Sequence, residues 1–473
     1  MISKISKLIG LPMFFLFFLT ANAQYVETMN PKGIQVDLKK DYGLKNDNAA
    51  TPQGYKLQKA IDEISSRKNG GNIYIPKGIY DISEIVLKSN VHLLIEAGTI
   101  LKLGRDSQMG AQIPRGPKGQ TREIVNTKGE VIQKKDIITG VFFKLDSEKG
   151  GTDYIENVSI RGINGAFTVD YHNLKSRDRQ RVIVASMVKN FLIQDMIVKD
   201  NYTVFCGITL APSGEKKKDV KGWEVSRATN GTLRNISHYQ ASPGYGLVQC
   251  HGAQNIHFEN LYAEGGVSLR LEVGADNKNV GVYDLTAENI INKNGRCALM
   301  MGPHSAKNGI VTIKNVTSIS STFAVKVGKS HVKKNAPDQT PGYFHNDSSI
   351  TNVRAIYGTN AQVKGMAIPS YPNAEAYFDS FKIFSDYKFF EGPSIGAVEY
   401  YPTTFSLKIK NVTMEGFPYN NDKPIMHHED IRNINWSAEK KTWEDAHTSK
   451  EFLSDKGVLA NDYKAEAYNF KKK

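Results

Sequence analysis

A short phrase returns along this chain: NVSIRGI at Asn157, FLIQDMI at Phe191, GTLRNIS at Gly231, NIHFENL at Asn255, NVGVYDL at Asn279, IVTIKNV at Ile310, SSITNVR at Ser348 and SLKIKNV at Ser406. Each copy alternates apolar and polar residues at period two, the pattern of a strand with one buried face. In most copies an Asn or Asp stands just before a final apolar residue, as at Asp195, Asn235, Asn260, Asp284, Asn315, Asn352 and Asn411. Such residues tolerate the tight corners a chain needs to change direction. The intervals run from 24 residues upwards, too irregular for a leucine-rich or helical solenoid. A unit of this size cannot bury its apolar face alone and must stack on its neighbours. The recurrence therefore predicts an all-β chain wound into a parallel β-helix, with the longer intervals leaving as loops. A β-sandwich gives no reason for the phrase to recur.

The N-terminal part agrees. A polar turn around Asp41 to Asn48 precedes an amphipathic helix near Tyr55 to Ser65, with Leu57, Ala60, Ile61 and Ile64 on one side, and then the strand NIYIP. A helix laid over the open end of a β-helix covers its unpaired edge, an arrangement similar to the start of pectin-lyase-like right-handed β-helix proteins. Ahead of it, MISKISKLIGLPMFFLFFLTANAQ has two lysines, an apolar run from Leu8 to Leu19 and small residues ending at Ala23. That is the layout of a signal peptide over residues 1–23, cut before Gln24. The run is too short to span a bilayer stably, so the mature chain is expected to be secreted, extracellular or periplasmic, with no membrane contact. Cys206, Cys250 and Cys297 cannot all pair and lack metal-site spacing, and they read as small buried hydrophobes.

The formal charge of +13 falls to +11 if Lys4 and Lys7 leave with the signal peptide. Such an excess favours polyanionic partners. Export and the lack of any nucleic-acid fold signature argue against nucleic acid. The exported polyanions that remain are sulfated or carboxylated polysaccharides, anionic cell surfaces and extracellular DNA.

The stretch EGGVSLRLEVGADN, Glu264 to Asn277, places Arg270 and Glu272 two apart inside an apolar alternation. Val267, Leu269, Leu271 and Val273 should point inward, and Ser268, Arg270 and Glu272 outward. On neighbouring coils YGLVQCHG should bury Val248 and Cys250 and expose Leu247 and Gln249, while STFAVKVG should bury Phe323, Val325 and Val327 and expose Lys326. Between them RCALMMGPH ends in His304. The steps from Gln249 to Glu272, His304 and Lys326 are 23, 32 and 22 residues, about one coil each. A ladder of Gln, Arg/Glu, His and Lys suits an anionic sugar chain. Each member also has a plainer reading: a surface ion pair, a loop histidine, an amide ladder between coils.

PGYGLVQCHGAQNIHFENLYAEGGVSLRLE, with MMGPHSAKNG and later GPSIGAVE, resembles the iota-carrageenases, glycoside hydrolase family 82, most densely over Gly244 to Glu272. The resemblance implies a secreted endo-hydrolase cutting internal β-1,4 bonds of iota-carrageenan, a sulfated galactan, with inversion. It makes Glu272 the general acid, Gln249 a water-positioning glutamine and His304 a histidine at the substrate. Arg270, Tyr245 and Lys326 are the expected substrate contacts. It implies no required cofactor, with structural calcium or sodium and a site chloride as accompanying ions. The family's base is an aspartate two residues beyond the acid, and that position here is Gly274. Asp276 is the nearest candidate. Four extended residues span about 13 Å, beyond the roughly 6.5–9.5 Å gap of inverting carboxylates, so Asp276 requires a bend at Gly274-Ala275.

The expected organisation is a catalytic β-helix over 24–420, with a loop-rich insertion at about 330–390, and a C-terminal extension over 421–473, acting as a monomer. The resemblance implies a sizeable insertion after the coil of Ser321 to Lys329, and against it the short Ser330 to Phe390 points to a more open groove and a less processive cut. A lyase or polygalacturonase-like hydrolase on the same scaffold, and a glycan-binding β-helix without turnover, are the rival readings.

Overall fold

The computed structural model describes residues 24–31, 33–103, 121–125, 131–136, 140–147, 153–174, 176, 178–212, 227–273, 280–335, 338–385, 389–431 and 462–471 of the chain. The recurring phrase forms one long sheet. Its strands in chain order are Ile34–Asp37, Gly71–Ile75, Val91–Glu96, Ile155–Ile163, Val188–Lys199, Ala228–Tyr239, Ala253–Glu264, Leu285–Lys293, Val311–Ile319, Ser349–Ile356 and Lys408–Glu415, each hydrogen-bonded in parallel to the next. Residues of one height stack inward, Ile160 on Ile193, Leu233, Phe258, Ala287 and Ile313, all buried. Connections between successive parallel strands take the right-handed sense, and the chain is a right-handed parallel β-helix.

The corners explain the Asn of the phrase. Asp195, Asn235, Asn260, Asn289, Asn315, Asn352 and Asn411 all have left-handed backbone, with φ from 54° to 58°. There the chain turns out of the sheet: the first half of Val188–Lys199 pairs with Ile155–Ile163 and the second with Phe167–Asp170. Each Asn amide donates to the side-chain oxygen of the coil before it, from Asn235 to Asp195 (2.8 Å), Asn260 to Asn235 (2.8 Å), Asn289 to Asn260 (2.9 Å), Asn315 to Asn289 (3.1 Å), Asn352 to Asn315 (2.9 Å) and Asn411 to Asn352 (3.0 Å).

One rung differs from the sequence reading. Asn289, not Asp284, stands in this ladder. Tyr283 pairs with Gln254, so Asp284 is level with Asn255 and belongs to the preceding corner. There Asn90, Asn157, Asn190, Asn230, Asn255 and Asp284 are again left-handed, and Asn157 donates to Asn90 and Asn190 to Asn157. Both corners carry an Asx residue, which is why the phrase at Asn279 reads one corner early.

A second sheet lies on another face. Its strands are Ile85–Val86, Gly140–Leu145, Gln180–Ala185, Ile208–Leu210, Val248–Cys250, Val267–Glu272, Cys297–Gly302, Phe323–Val327, Val398–Tyr400 and Ile425–His427, parallel throughout. Helix Gly54–Ser65 covers the first coils, burying Leu57, Ala60, Ile61 and Ile64 as its spacing predicts. Cys206, Cys250 and Cys297 are buried and unpaired.

Beside the second sheet, residues 361–385 and 389–392 form a compact module. Ala361–Lys364 and Lys382–Ser385 both pair antiparallel with Phe389–Gly392. Ile368, Tyr371, Tyr377, Phe381 and Phe390 pack there against Val267, Cys297 and Phe323, the first residues of three second-sheet strands. The first described residues lie along the long sheet. Gln24 donates to Thr286 Oγ1 (2.8 Å), the Val26 amide donates to Asn190 Oδ1 (2.8 Å), and Glu27 pairs with the buried Arg161 (2.8 Å).

Among the described residues no helix is long and apolar enough to cross a membrane. The expected signal peptide, residues 1–23, lies outside the described residues.

The corner ladder makes a comparison of two substitutions informative. Asn260→Ala should cost about 2–4 kcal/mol, combining a left-handed residue without glycine's freedom with two lost amide bonds. Asn260→Gly removes the backbone term and should cost about half as much. Equal losses by denaturant titration would mean the left-handed corner stores no strain.

Candidate active site

The outer face of the second sheet carries a row in register: Val184, Thr209, Gln249, Arg270, Met300, Lys326 and Glu399. Gln249 is thus level with Arg270 and not with Glu272, which lies two residues further along its strand and opposite Gly302. A Cβ on Gly302 would meet nothing within 4 Å, so space is open beside Glu272. His304 follows in a turn with φ +46°, its carbonyl accepting from the His331 and Gly342 amides (3.1 Å each).

The side chains converge although their backbones do not share one row. Gln249 Nε2 donates to Glu272 Oε2 (2.6 Å), and Arg270 Nη2 donates to Oε1 (2.5 Å). His304 Nε2 is 3.7 Å from the same Oε1. His251, which carried no role in the sequence reading, lies with Nδ1 2.9 Å from the Glu272 carbonyl and holds the strand end. Arg270 Nη1 donates to the Gly244 carbonyl (2.6 Å), its guanidinium lies 5.4 Å from the Tyr245 ring, and its Nε is buried with no hydrogen-bond partner among the described residues.

Three expectations are corrected by burial. Leu247 is fully buried, because the backbone reverses at Gly246 (φ +96°) and alternation begins only at Val248. Gln249 points outward but is 2% exposed, covered by the Glu272 carboxylate it binds. Ser268 is buried too, its hydroxyl donating to the Ile291 carbonyl (2.6 Å).

Lys326 stays away from Glu272. It is bound to Glu399, and the Tyr371 hydroxyl lies 3.1 Å from its Nζ while donating to Glu399 (2.6 Å). Glu399 closes the stretch GPSIGAVE, so a signal for it existed, but Tyr371 comes from the module and follows no repeat. Asp276 lies outside the described residues. Among the described residues no three His, Cys, Asp or Glu side chains gather as a metal-holding group.

Electrostatics set the state of the central carboxyl. Burial pushes Glu272 upward, the largest single influence, yet His304, Arg270, Gln249 and His251 together hold it down at about 2. In the free protein it is a carboxylate at any ordinary pH. The site is a half-buried anion among donors on the outer face of the second sheet, with the Tyr245 ring beside Arg270.

A right-handed parallel β-helix is the architecture of pectate-lyase-like proteins, and a family model described as rhamnogalacturonase A/epimerase, pectate lyase-like, matches residues 36–113. More particularly, the chain is similar to curated iota-carrageenases. It is 32% identical over 343 residues to the iota-carrageenase of Zobellia galactanivorans, covering 70% of this chain and 61% of that protein. It is 30% identical over 323 residues to that of Alteromonas macleodii, covering 67% and 57%. The chain thus spans about three fifths of the length of the curated relatives it matches. A solved 1,3-α-1,4-β-D-galactose-4-sulfate-3,6-anhydro-D-galactose-2-sulfate 4 galactohydrolase superposes with a TM-score of 0.70 at 25% identity, covering 89% of this chain and 98% of that one.

The depressed Glu272 carboxyl contributes stability that is present above its unfolded value of about 4.5 and is lost as pH falls towards 2. Arg270→Leu should raise the Glu272 carboxyl and narrow that acid-sensitive window, with His304, Gln249 and His251 still holding it below its ordinary value. Carbon-detected NMR titration of the carboxyl checks it; an unmoved titration would mean Arg270 does not govern this acid.

Proposed function

We propose that this protein is a secreted endo-hydrolase of iota-carrageenan that cuts internal β-1,4 linkages with inversion. The observation that carries the reading is the convergence of Gln249, Arg270 and His304 on the Glu272 carboxylate, in a chain related to proteins named for that activity. Glu272 protonates the leaving glycosidic oxygen. A second carboxylate, for which Asp276 is the candidate, takes a proton from the water attacking the opposite face of the sugar. Gln249 orients the Glu272 carboxyl, and Arg270 and Tyr245 contact the bound chain. The protein acts as a monomer without an organic cofactor, and calcium, sodium or chloride ions accompany the fold or the site.

An acid must carry a proton, and free Glu272 does not. The substrate supplies the remedy. A sulfate ester offers the Arg270 guanidinium an acceptor for paired charge-assisted hydrogen bonds. Once Arg270 turns to it and the chain excludes water, one of the influences that hold Glu272 down is withdrawn, burial weighs more, and the carboxyl rises. Only a sulfated chain then makes its own acid.

The rival that the structure favours is a glycan-binding protein without turnover, since the ion pair pins Glu272 as a carboxylate. Incubation with kappa-, iota- and lambda-carrageenan, agar and pectate decides between them. Reducing ends are expected from iota-carrageenan, appearing first as the inverted anomer. Unsaturated ends would mean a lyase, and binding without new ends a non-catalytic protein. Glu272→Gln should lower kcat about 10²- to 10⁴-fold. Asp276→Asn should do likewise, and full activity in that variant would move the base elsewhere. Because kcat reports the bound complex, its limb for loss of the acid should lie well above the free-protein value of about 2. Coincidence of the two would remove the substrate-induced proton uptake.

A further inference from the structure

The module at 361–385 and 389–392 sets Lys364 near Arg296, which immediately precedes the second-sheet strand Cys297–Gly302, and the mechanism uses neither cation. Its first strand is locked to the second sheet through Gln362, whose amide donates to the Gly295 carbonyl (2.9 Å) and whose Oε1 accepts from the Gly266 amide (2.9 Å). Thr322 Oγ1 also donates to the Gln362 carbonyl (2.5 Å). Lys364 ends that strand and pairs in register with Phe389. The Phe389 ring lies 5.4 Å from the Arg296 guanidinium and flanks Gly244, whose carbonyl holds Arg270. Arg270, Arg296 and Lys364 are thereby grouped around one aromatic ring.

Their charges do not balance. Arg270 is matched by Glu272 and Lys326 by Glu399. Among the described residues Arg296 and Lys364 make no side-chain hydrogen bond or ion pair. Burial lowers both below their ordinary values, Arg270 adds to the effect on each, and Arg296 and Lys326 add to it on Lys364. Holding these like charges together is costly unless an anion joins them, although Lys364 still reaches solvent.

We propose that Arg296 and Lys364, with Phe389 as floor, form a pocket for one sulfate ester of the polysaccharide bound beside Glu272. This rests on the hydrolase reading for the identity of the chain. Two cations approach the sulfate oxygens from different elements, and the ring gives the C–H face of the sugar an apolar surface. The pocket exists only because the module is docked, so the module sets the preference for sulfation.

The test compares binding and turnover of iota-carrageenan and its chemically desulfated counterpart by wild type, Lys364→Gln and Arg296→Gln. Each substitution should weaken affinity for the sulfated chain about tenfold, act on KM more than on kcat, and lower the salt dependence of binding by about one ion. Neither should change affinity for the desulfated chain. Lys364 is exposed, so Lys364→Gln keeps the test valid if Arg296→Gln fails to fold. Equal weakening on both chains, or none on either, overturns the pocket. Protection by sodium sulfate or chloride alone that both variants lose, with carrageenan affinity unchanged, assigns the site to a free anion and also overturns it. Affinity is read without catalysis, so a wild type that binds but never cleaves sinks the hydrolase reading and leaves the pocket standing.

Discussion

The left-handed asparagine corner is the interaction on which the rest depends. It turns the chain out of one sheet, and its amide reaches the same residue of the coil before, so a single side chain sets both bend and register. Register is what brings Gln249, Arg270 and Lys326 from separate coils to one height. A slip by one residue would exchange the buried and outward sets. The chemistry of the site is thus held by corners that touch no substrate.

Within the site the balance of burial against donors decides function. Burial alone would make Glu272 a ready acid, but four neighbours overrule it. The resting carboxylate is therefore guarded, with Arg270 as its main charge partner. A protein built this way avoids presenting a proton donor to neutral glycans, and the selectivity follows from which ligand can compete for a guanidinium.

How much could be read beforehand follows from the kind of order involved. The coil was legible because a strand phrase with period two and an Asx corner repeats, and the capping helix because Leu57, Ala60, Ile61 and Ile64 fall on one side. Asp284 was misplaced because both corners use the same residue types. The convergence on Glu272 was legible as a face but not as a height, since long side chains bridge rungs that the backbone separates. The pairing of Lys326 was only partly legible: GPSIGAVE ends on Glu399, but the long interval before that strand concealed its register with Lys326, and Tyr371 belongs to a module whose antiparallel strands and short turns echo no repeat. Arg296 and Lys364 left no pattern either, as only docking makes them neighbours.

The segment from Gln24 to Glu27 is fastened across several coils of the long sheet, to Thr286, Asn190 and Arg161. Anything joined ahead of Gln24 would accordingly leave from the flank of the solenoid and not from its capped end. Tethering through that point would lay the cylinder sideways against a support, leaving the second sheet's outer face free to admit the middle of a long polymer.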